Sequence, residues 1–430
     1  MSTLRWASGL LASSRVLHAA LLALPFIVVA VATGGLSRPF AVYQAYDELE
    51  HLSVIATQWN QWPRPLLGGY GTWSGPLVYW LLTAIGRGSG GSLQAMRLGV
   101  SVMSWATCLT AYVIFRDRLG ARPELALAWA GMLALSPFFF GASFYVLTDN
   151  PTWLLVTLAL ERLLAWTARP RCLRLVAFSL AAAAATVMRQ VSVWVFVAGG
   201  SAVLSVPGSR RARVGRWAIV VAGLVPLAAL LLHWGALLPQ GVSQTEPATV
   251  RLRNVLLGVA VIGLWSLLLA PADEVRALPH RLGRRGWAAV GCATALGLAA
   301  VGAGGVGDLA VTDPLGIGLL GRLCEIWPAV AGASLAWWVL VPLGAAALAA
   351  LAVTRRERVG DRVLVVGLAA LALVGAGNTM WFQRYADYPV MLILLALVAS
   401  AGRSPRTVDV ARWVVVVAVS LLWTLSRAIH

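Results

Sequence analysis

Residues Arg174 to Val206 read RLVAFSLAAAAATVMRQVSVWVFVAGGSAVLSV, an apolar run whose interior holds one ionisable residue, Arg189. A hydrocarbon core of ~30 Å takes about 20 apolar residues as a helix, so the run is too long for one span. It also carries a guanidinium at its middle, where charge is costly. We therefore divide it into two short helices, 173–187 and 191–206, that meet at Met188-Arg189-Gln190. That division sets the membrane side of every later loop.

The rest of the chain has the same character. It is 59% hydrophobic with a mean hydropathy of +0.79, which excludes an ordinary soluble enzyme and predicts an all-α, polytopic membrane protein. Apolar runs recur from end to end, so residues 1–430 are expected to form one transmembrane domain. The remaining spans are placed near 16–34, 93–115, 124–147, 151–168, 217–234, 254–270, 287–306, 331–353, 362–379, 389–402 and 409–426, giving about thirteen. The run 75–86 is too short to cross and is expected to lie in the interface. It belongs to a first exoplasmic loop covering 35–92. Arg5 and Arg15 precede the first span without a small-residue cleavage signature, so that span is expected to remain as an anchor.

Charge tests this layout. All the basic residues other than His are Arg, and the formal charge is +17. With the N-terminus in the cytoplasm, the arginine clusters within 116–122, 169–174, 210–216, 276–285, 355–362 and 403–412 all fall inside, as the positive-inside rule requires. That also explains the charge without nucleic acid, since no basic face with interleaved aromatics remains once the spans are removed. Cys108, Cys172, Cys292 and Cys324 are scattered and suggest neither a disulfide framework nor a metal site.

The conspicuous polar groups left outside share one face: Asp47, Glu48, Glu50 and His51; Thr148, Asp149 and Asn150; Arg189 and Gln190; Glu246, Arg251 and Arg253; Asp308, Asp313, Arg322 and Glu325; Arg384, Tyr385 and Asp387. A helix over 47–60 would put Asp47, Glu50 and His51 on one side and turn Glu48 away. A partly desolvated carboxylate at this boundary can take a proton from a hydroxyl; the alternative is that Asp47 and Glu48 only cap the helix. Arg189 suits a phosphate through its planar fork, or else forms a structural ion pair with Asp149 or Asp47. Around Arg384, the segment Trp381 to Tyr388 either lines a sugar or headgroup site or is an interfacial aromatic belt. Asp149 is a site residue or an N-cap for a helix with Pro151 in its first turn. His233 and Glu246 are further candidates for acceptor contact, while Asp308, Asp313 and Glu325 have no ligand-like spacing. No Gly-rich phosphate loop or metal-ligand spacing occurs, so a lipid-borne donor fits better than a cytosolic nucleotide.

These motifs resemble a family. Asp47-Glu48-Leu49-Glu50-His51 is similar to the Asp-Glu-x-Phe-His of the dolichyl-phosphate-glucose-dependent alpha-1,2-glucosyltransferases (glycosyltransferase family 59), within the glycosyltransferase-C superfamily. Tyr70 to Tyr79 resembles that family's Thr-Thr-x-Pro-Gly-Leu-Tyr, with the Pro-Gly order inverted at Gly75-Pro76. Leu135 through Asp149 resembles its aromatic helix ending in a Tyr-Thr-acid turn. Met188-Arg189-Gln190 through Trp194 is similar to its Arg-Gln-Thr-Asn-x-x-Trp, and Gln383-Arg384-Tyr385 to its Asn-Arg-His-Tyr. The motifs occur in the same order along the chain.

The resemblance implies an inverting hexosyltransferase, glucose favoured, with Asp47 as base and with Glu48 and His51 orienting the base or the acceptor. Arg189, Gln190, Arg384 and Tyr385 would bind the donor phosphate, and Glu50, Trp73, Asp149 and Asp387 would contact acceptor or sugar. The implied partners are membrane lipid, a polyprenyl-phosphate sugar donor and a glycan or lipid-linked acceptor. No metal or cofactor is expected, because the phosphate is itself the leaving group. The absence of Lys and the abundance of Ala, Gly and Arg suggest a high-GC bacterial genome, so the expected place is a bacterial plasma membrane, with the site facing outward by the loop charges. A flippase or exporter of lipid-linked glycans is the rival, and it would need polar residues continuing through to the cytoplasmic side.

Overall fold

A computed structural model describes residues 15–37, 42–243, 251–303, 318–377, 383–402, 409–411, 413–415 and 417–418. Glu246, Asp308, Asp313, Trp381, Phe382 and most of the span expected at 409–426 lie outside the described residues. The described chain is helical apart from loops and a two-residue antiparallel ladder, Ala329–Val330 with Ala333–Ser334.

The helices are α1 (Arg15–Ala32), α2 (Val42–Gln61), α3 (Pro76–Gly88), α4 (Leu93–Val113), α5 (Pro123–Ala134), α6 (Pro137–Ala142), α7 (Asp149–Ala168), α8 (Cys172–Met188) and α9 (Trp194–Ser205). They continue as α10 (Arg210–Ala222), α11 (Val225–Trp234), α12 (Leu252–Leu269), α13 (Ala272–Gly302), α14 (Gly318–Ile326), α15 (Leu335–Thr354), α16 (Val359–Val374) and α17 (Gln383–Ser400). Among the described residues, seven helical stretches are long and apolar enough to cross a membrane: Arg15–Ala32, Leu93–Arg118, Arg210–Trp234, Leu252–Leu269, Ala272–Gly302, Leu335–Thr354 and Val359–Gly377. The chain is a polytopic, all-α membrane protein. The spans expected at 151–168, 173–187, 191–206 and 389–402 are also largely helical.

Two expectations need correcting. The span placed at 124–147 is not one helix. Pro137 forces its predecessor away from helical geometry, so Ser136 is extended (φ −65°, ψ 144°) and α5 stops short of it. After α6 the chain reaches α7 through a non-helical turn that becomes part of the site. The span placed at 331–353 starts later, at Leu335, because Ala331 and Gly332 adopt positive φ in the turn of the small ladder. The run 75–86 forms the short helix α3, and α13 consists of two helical segments meeting at Gly283 (φ 58°).

The core is a large apolar bundle with a smaller cluster around Val54, Tyr79, Met96 and Met188 where α2, α3 and α4 meet. α7 packs on α4 and α8, α9 on α16, and α12 on both α15 and α17, while α13 lies along α15. Bare glycine lets the α12 and α15 backbones meet: a Cβ on Gly344 would fall 1.9 Å from the Val259 carbonyl oxygen, and one on Gly263 2.2 Å from that of Leu340. Gly344→Ala must therefore push the two helices apart, at a cost of about 1–3 kcal/mol. Its thermal midpoint in detergent should fall by several degrees, whereas Gly291→Ala on open α13 surface should not lower it. Equal midpoints for the two variants would contradict this packing.

Candidate active site

The site begins where α8 stops. Arg189 is extended (φ −148°, ψ 117°) and is followed by a single 3-10 turn, Gln190–Val193, before α9 starts at Trp194. The division of the long apolar run thus falls at the expected residues. A broken helix leaves carbonyls unpaired, and the loop before α3 takes one of them: Gly75 N donates to Met188 O at 2.7 Å. A Cβ on Gly75 would lie 1.9 Å from the Val187 carbonyl oxygen, so only glycine permits this approach. Pro76 then opens α3 at a position where no N–H is required. Beside this contact the Ser74 and Thr148 hydroxyls are hydrogen-bonded to each other at 2.8 Å.

Three distant parts of the chain converge on the break. The Arg189 guanidinium donates to the Asp149 carboxylate at the start of α7, and that of Arg384 at the start of α17 donates to Asp47 of α2. The Tyr385 ring connects the two pairs, with Arg189 Cζ 4.3 Å and Arg384 Cζ 5.2 Å from its centroid. A ring contacting two guanidiniums holds like charges close together where water is scarce. Each carboxylate neutralises one of them. Burial differs between the pairs: side-chain exposures are 7% and 9% for Arg189 and Asp149, but 19% and 26% for Arg384 and Asp47. The Asp47 pair is the more open to an incoming group. Gln190 carries an Nε2 that is buried with no hydrogen-bond partner among the described residues.

Asp47 does not sit at a helix start, because α2 begins at Val42, so the capping alternative does not hold. Asp149 does open α7, but its carboxylate is spent on Arg189, and Thr148 makes no side-chain cap. The ion pair suggested for Arg189 is therefore present, with Asp149 as its partner.

Glu48, next to Asp47 but on another side of α2, has a different use. It is 3% exposed, and its Oε1 accepts from Arg97 Nε at 2.9 Å and from Val146 N at 2.8 Å. Its Oε2 accepts from Arg97 Nη2 at 2.5 Å, and Arg97 Nη1 donates to Leu36 O at 2.7 Å. A bidentate pair of this kind locks α2 to α4 and to the turn left by the broken span. Glu48 was expected to touch the base or the acceptor; it is instead buried against α4 and holds Asp47's helix in place.

His51 shares a 2.8 Å hydrogen bond with the Tyr79 hydroxyl, which also bonds the Thr72 hydroxyl at 2.6 Å. Burial, and then the nearby Arg189 charge, push the His51 imidazole down from 6.5 to about 3, against an opposing pull from Asp47. Burial likewise raises the Tyr79 phenol well above its usual range. At neutral pH both are uncharged hydrogen-bonding groups, and His51 is too weak a base to take the reacting proton.

Other expected contacts separate cleanly. Glu50 is exposed on α2 and Trp73 is half-buried beside Thr72 and Ser74, so both lie where a substrate can reach them. Asp387 is 2% exposed and accepts from Trp265 Nε1 at 2.8 Å, which turns it into the bundle and corrects its assignment as an acceptor contact. Tyr388 is equally buried: it stacks on Phe139 at 4.8 Å, bonds Thr157 at 2.9 Å and walls a small cavity shared with Asp149 and Arg384, so it is no part of an interfacial belt. His233 is exposed near the end of α11. Sequence reasoning assigned no site role to Arg97, nor to Tyr79, Thr72 and Ser74, although the last three lie in the Tyr70 to Tyr79 motif. Arg97 had left a signal, since an arginine inside the span placed at 93–115 must find a partner. Tyr79 and its hydroxyl neighbours had left only their place in that motif.

Among solved structures, the chain is similar to the crystal structure of ArnT from Cupriavidus metallidurans in the apo state, at 17% identity and a TM-score of 0.36, covering 87% of this chain and 77% of that one. No family model matches the chain, nor does any curated protein.

Two outcomes test the geometry. Arg97→Met strands the Glu48 carboxylate and should cost about 3–5 kcal/mol, while Glu48→Leu/Arg97→Met recovers part of the loss. A single variant as stable as the parent would show that the clamp is absent. His51 gives a pH test. Its folded value lies below the unfolded one, so its contribution is complete above pH 6.5 and is lost as pH falls towards 3. The unfolding midpoint should drop between pH 7 and pH 5 by less in His51→Gln than in the parent; identical drops would contradict the assignment.

Proposed function

We propose that this chain is an inverting glycosyltransferase of the membrane, moving a sugar from a polyprenyl-phosphate donor to a glycan or lipid-linked acceptor at the exoplasmic face. The family resemblance makes that sugar a hexose, glucose first, and the Lys-free composition rich in Ala, Gly and Arg makes the setting a bacterial plasma membrane. The observation that carries the reading is the Asp47–Arg384 pair joined through Tyr385 to Arg189: one reachable carboxylate beside two guanidiniums, on helices far apart in sequence. A base and an anion-holding fork are what displacement of a sugar phosphate needs.

In the proposed reaction the donor phosphate competes with Asp47 for Arg384 and with Asp149 for Arg189. The first exchange is the easier, because that pair is the less buried. It frees the Asp47 carboxylate. Asp47 then takes the proton of an acceptor hydroxyl, whose oxygen bonds to the anomeric carbon from the opposite face. The bond from that carbon to the phosphate oxygen breaks, and its electron pair leaves with the polyprenyl phosphate. Arg384 and Arg189 stabilise the charge that gathers there, and Gln190 Nε2 supplies a further N–H. His51 and Tyr79, both neutral, orient the acceptor without adding charge. Glu50 and Trp73 are its outer contacts. Glu48 and Arg97 are positioning residues.

The test uses purified protein, a polyprenyl-phosphate hexose and a glycan acceptor. Asp47→Asn should lower kcat by about 10²–10⁴ while donor binding survives, and Arg384→Gln should weaken donor binding itself. Turnover unchanged in Asp47→Asn removes it as base. Movement of lipid-linked glycan across vesicles without any transfer would make the protein an exporter instead.

A further inference from the structure

The opposite end of the bundle holds a second built feature. Where α13, α15 and α17 converge with the start of α16, a cavity of about 650 Å³ is lined by Arg281, Arg285, Arg355, Arg356 and Arg358. Its acids are Glu357 and Asp361, and Asp361 lies 3.8 Å from Arg355. Arg355 is buried and donates to Glu274 at 2.5 Å, while Arg358 donates to the Ser400 carbonyl. Arg281, Arg285 and Arg356 are exposed and make no ion pair with the described residues. The cavity therefore presents a surplus of cations to whatever enters it.

A second, apolar cavity of about 110 Å³ adjoins it and shares Arg281, Thr354 and Arg355. Its walls include Leu269, Leu278, Leu351, Leu394, Leu397 and Val398. A polar, cationic chamber beside a hydrocarbon-lined groove, with Arg281, Thr354 and Arg355 on the edge they share, matches a molecule with a phosphate at one end and a chain at the other. A free anion would use only the first chamber. Ser400 lies about 24 Å along α17 from Arg384 at 1.5 Å per residue, so no single phosphate reaches both this chamber and the Asp47 cluster. The arginines belong to the loops expected in the cytoplasm, on the leaflet that carries anionic lipid.

We infer that this paired cavity is a binding site for an anionic phospholipid, with the headgroup phosphate among Arg281, Arg285 and Arg356 and the first part of an acyl chain in the groove beside Leu351 and Leu397. Nothing in the proposed transfer reaction uses these residues, so the site stands or falls independently of it.

Native mass spectrometry of the full-length protein in detergent tests the inference, with phosphatidylglycerol, phosphatidylcholine and glycerol 3-phosphate as probes. The parent should retain phosphatidylglycerol preferentially. Arg285→Gln/Arg356→Gln should reduce that retention roughly tenfold, two headgroup contacts being removed. The control Arg210→Gln/Arg211→Gln, equal in charge and exposed on α10, should not reduce it. Equal loss in both double variants would reduce the effect to general surface charge and overturn the site. Retention of phosphatidylcholine as strong as that of phosphatidylglycerol would also overturn it. So would glycerol 3-phosphate held as well as the lipid, since the groove would then contribute nothing.

Discussion

A guanidinium at the junction of two apolar helices cannot be left alone. Removing such a charge from water costs several kcal/mol even after relaxation, so the surrounding structure must supply a counter-charge and a polarisable face. Arg189 receives both, from the Asp149 carboxylate and the Tyr385 ring. Much of the architecture around it meets that requirement. The helix breaks so that Arg189 can point across the bundle. The broken turn has a carbonyl to satisfy, and Gly75 satisfies it by a backbone approach that no other residue allows. α7 must begin, and α17 must begin, at the same depth.

The three acid–arginine pairs near the break form a gradient. Glu48–Arg97 is the deepest, at 4% and 8% side-chain exposure, and it is the most completely hydrogen-bonded. Pairs of that kind are strongly destabilising to break. Asp149–Arg189 is intermediate in role: nearly as buried, yet stacked on a ring that a second arginine also faces. Asp47–Arg384 is the shallowest, and shallow pairs contribute little to stability. A chain that needs one carboxylate to change partners during its work would arrange its ion pairs in this order. The carboxylate available for exchange is then held in place by the one that is not.

The fold was legible wherever the physics was local. Span length, arginine-rich loops and the interruption at Arg189 were enough to place most helices and to foresee the break. Composition did not show that Ser136-Pro137 would end a helix inside a run apolar enough to cross. It also did not show that Val42 rather than Asp47 would start α2. In the site, Asp47, Arg189 and Arg384 stood out because charge beside a membrane demands a reason. Their pairing did not, since hydropathy says nothing about which acid meets which base. Asp387 misled for the same cause: it lies in the same run as Arg384 and Tyr385, but the helical turn points it at Trp265. Tyr79 stood in a recognised motif, but its hydrogen bonds to His51 and Thr72 did not show, because one tyrosine in a short apolar helix reads as packing until its neighbours are known.

The central claim is that the two guanidiniums share one anion and that its arrival releases Asp47. A cryo-electron microscopy structure with bound polyprenyl phosphate tests this most directly. The account predicts phosphate oxygens at about 2.7–2.9 Å from both Arg189 and Arg384, with the Asp47 carboxylate no longer on Arg384. A phosphate bound elsewhere, or one bound here with the Asp47–Arg384 pair intact, would contradict it.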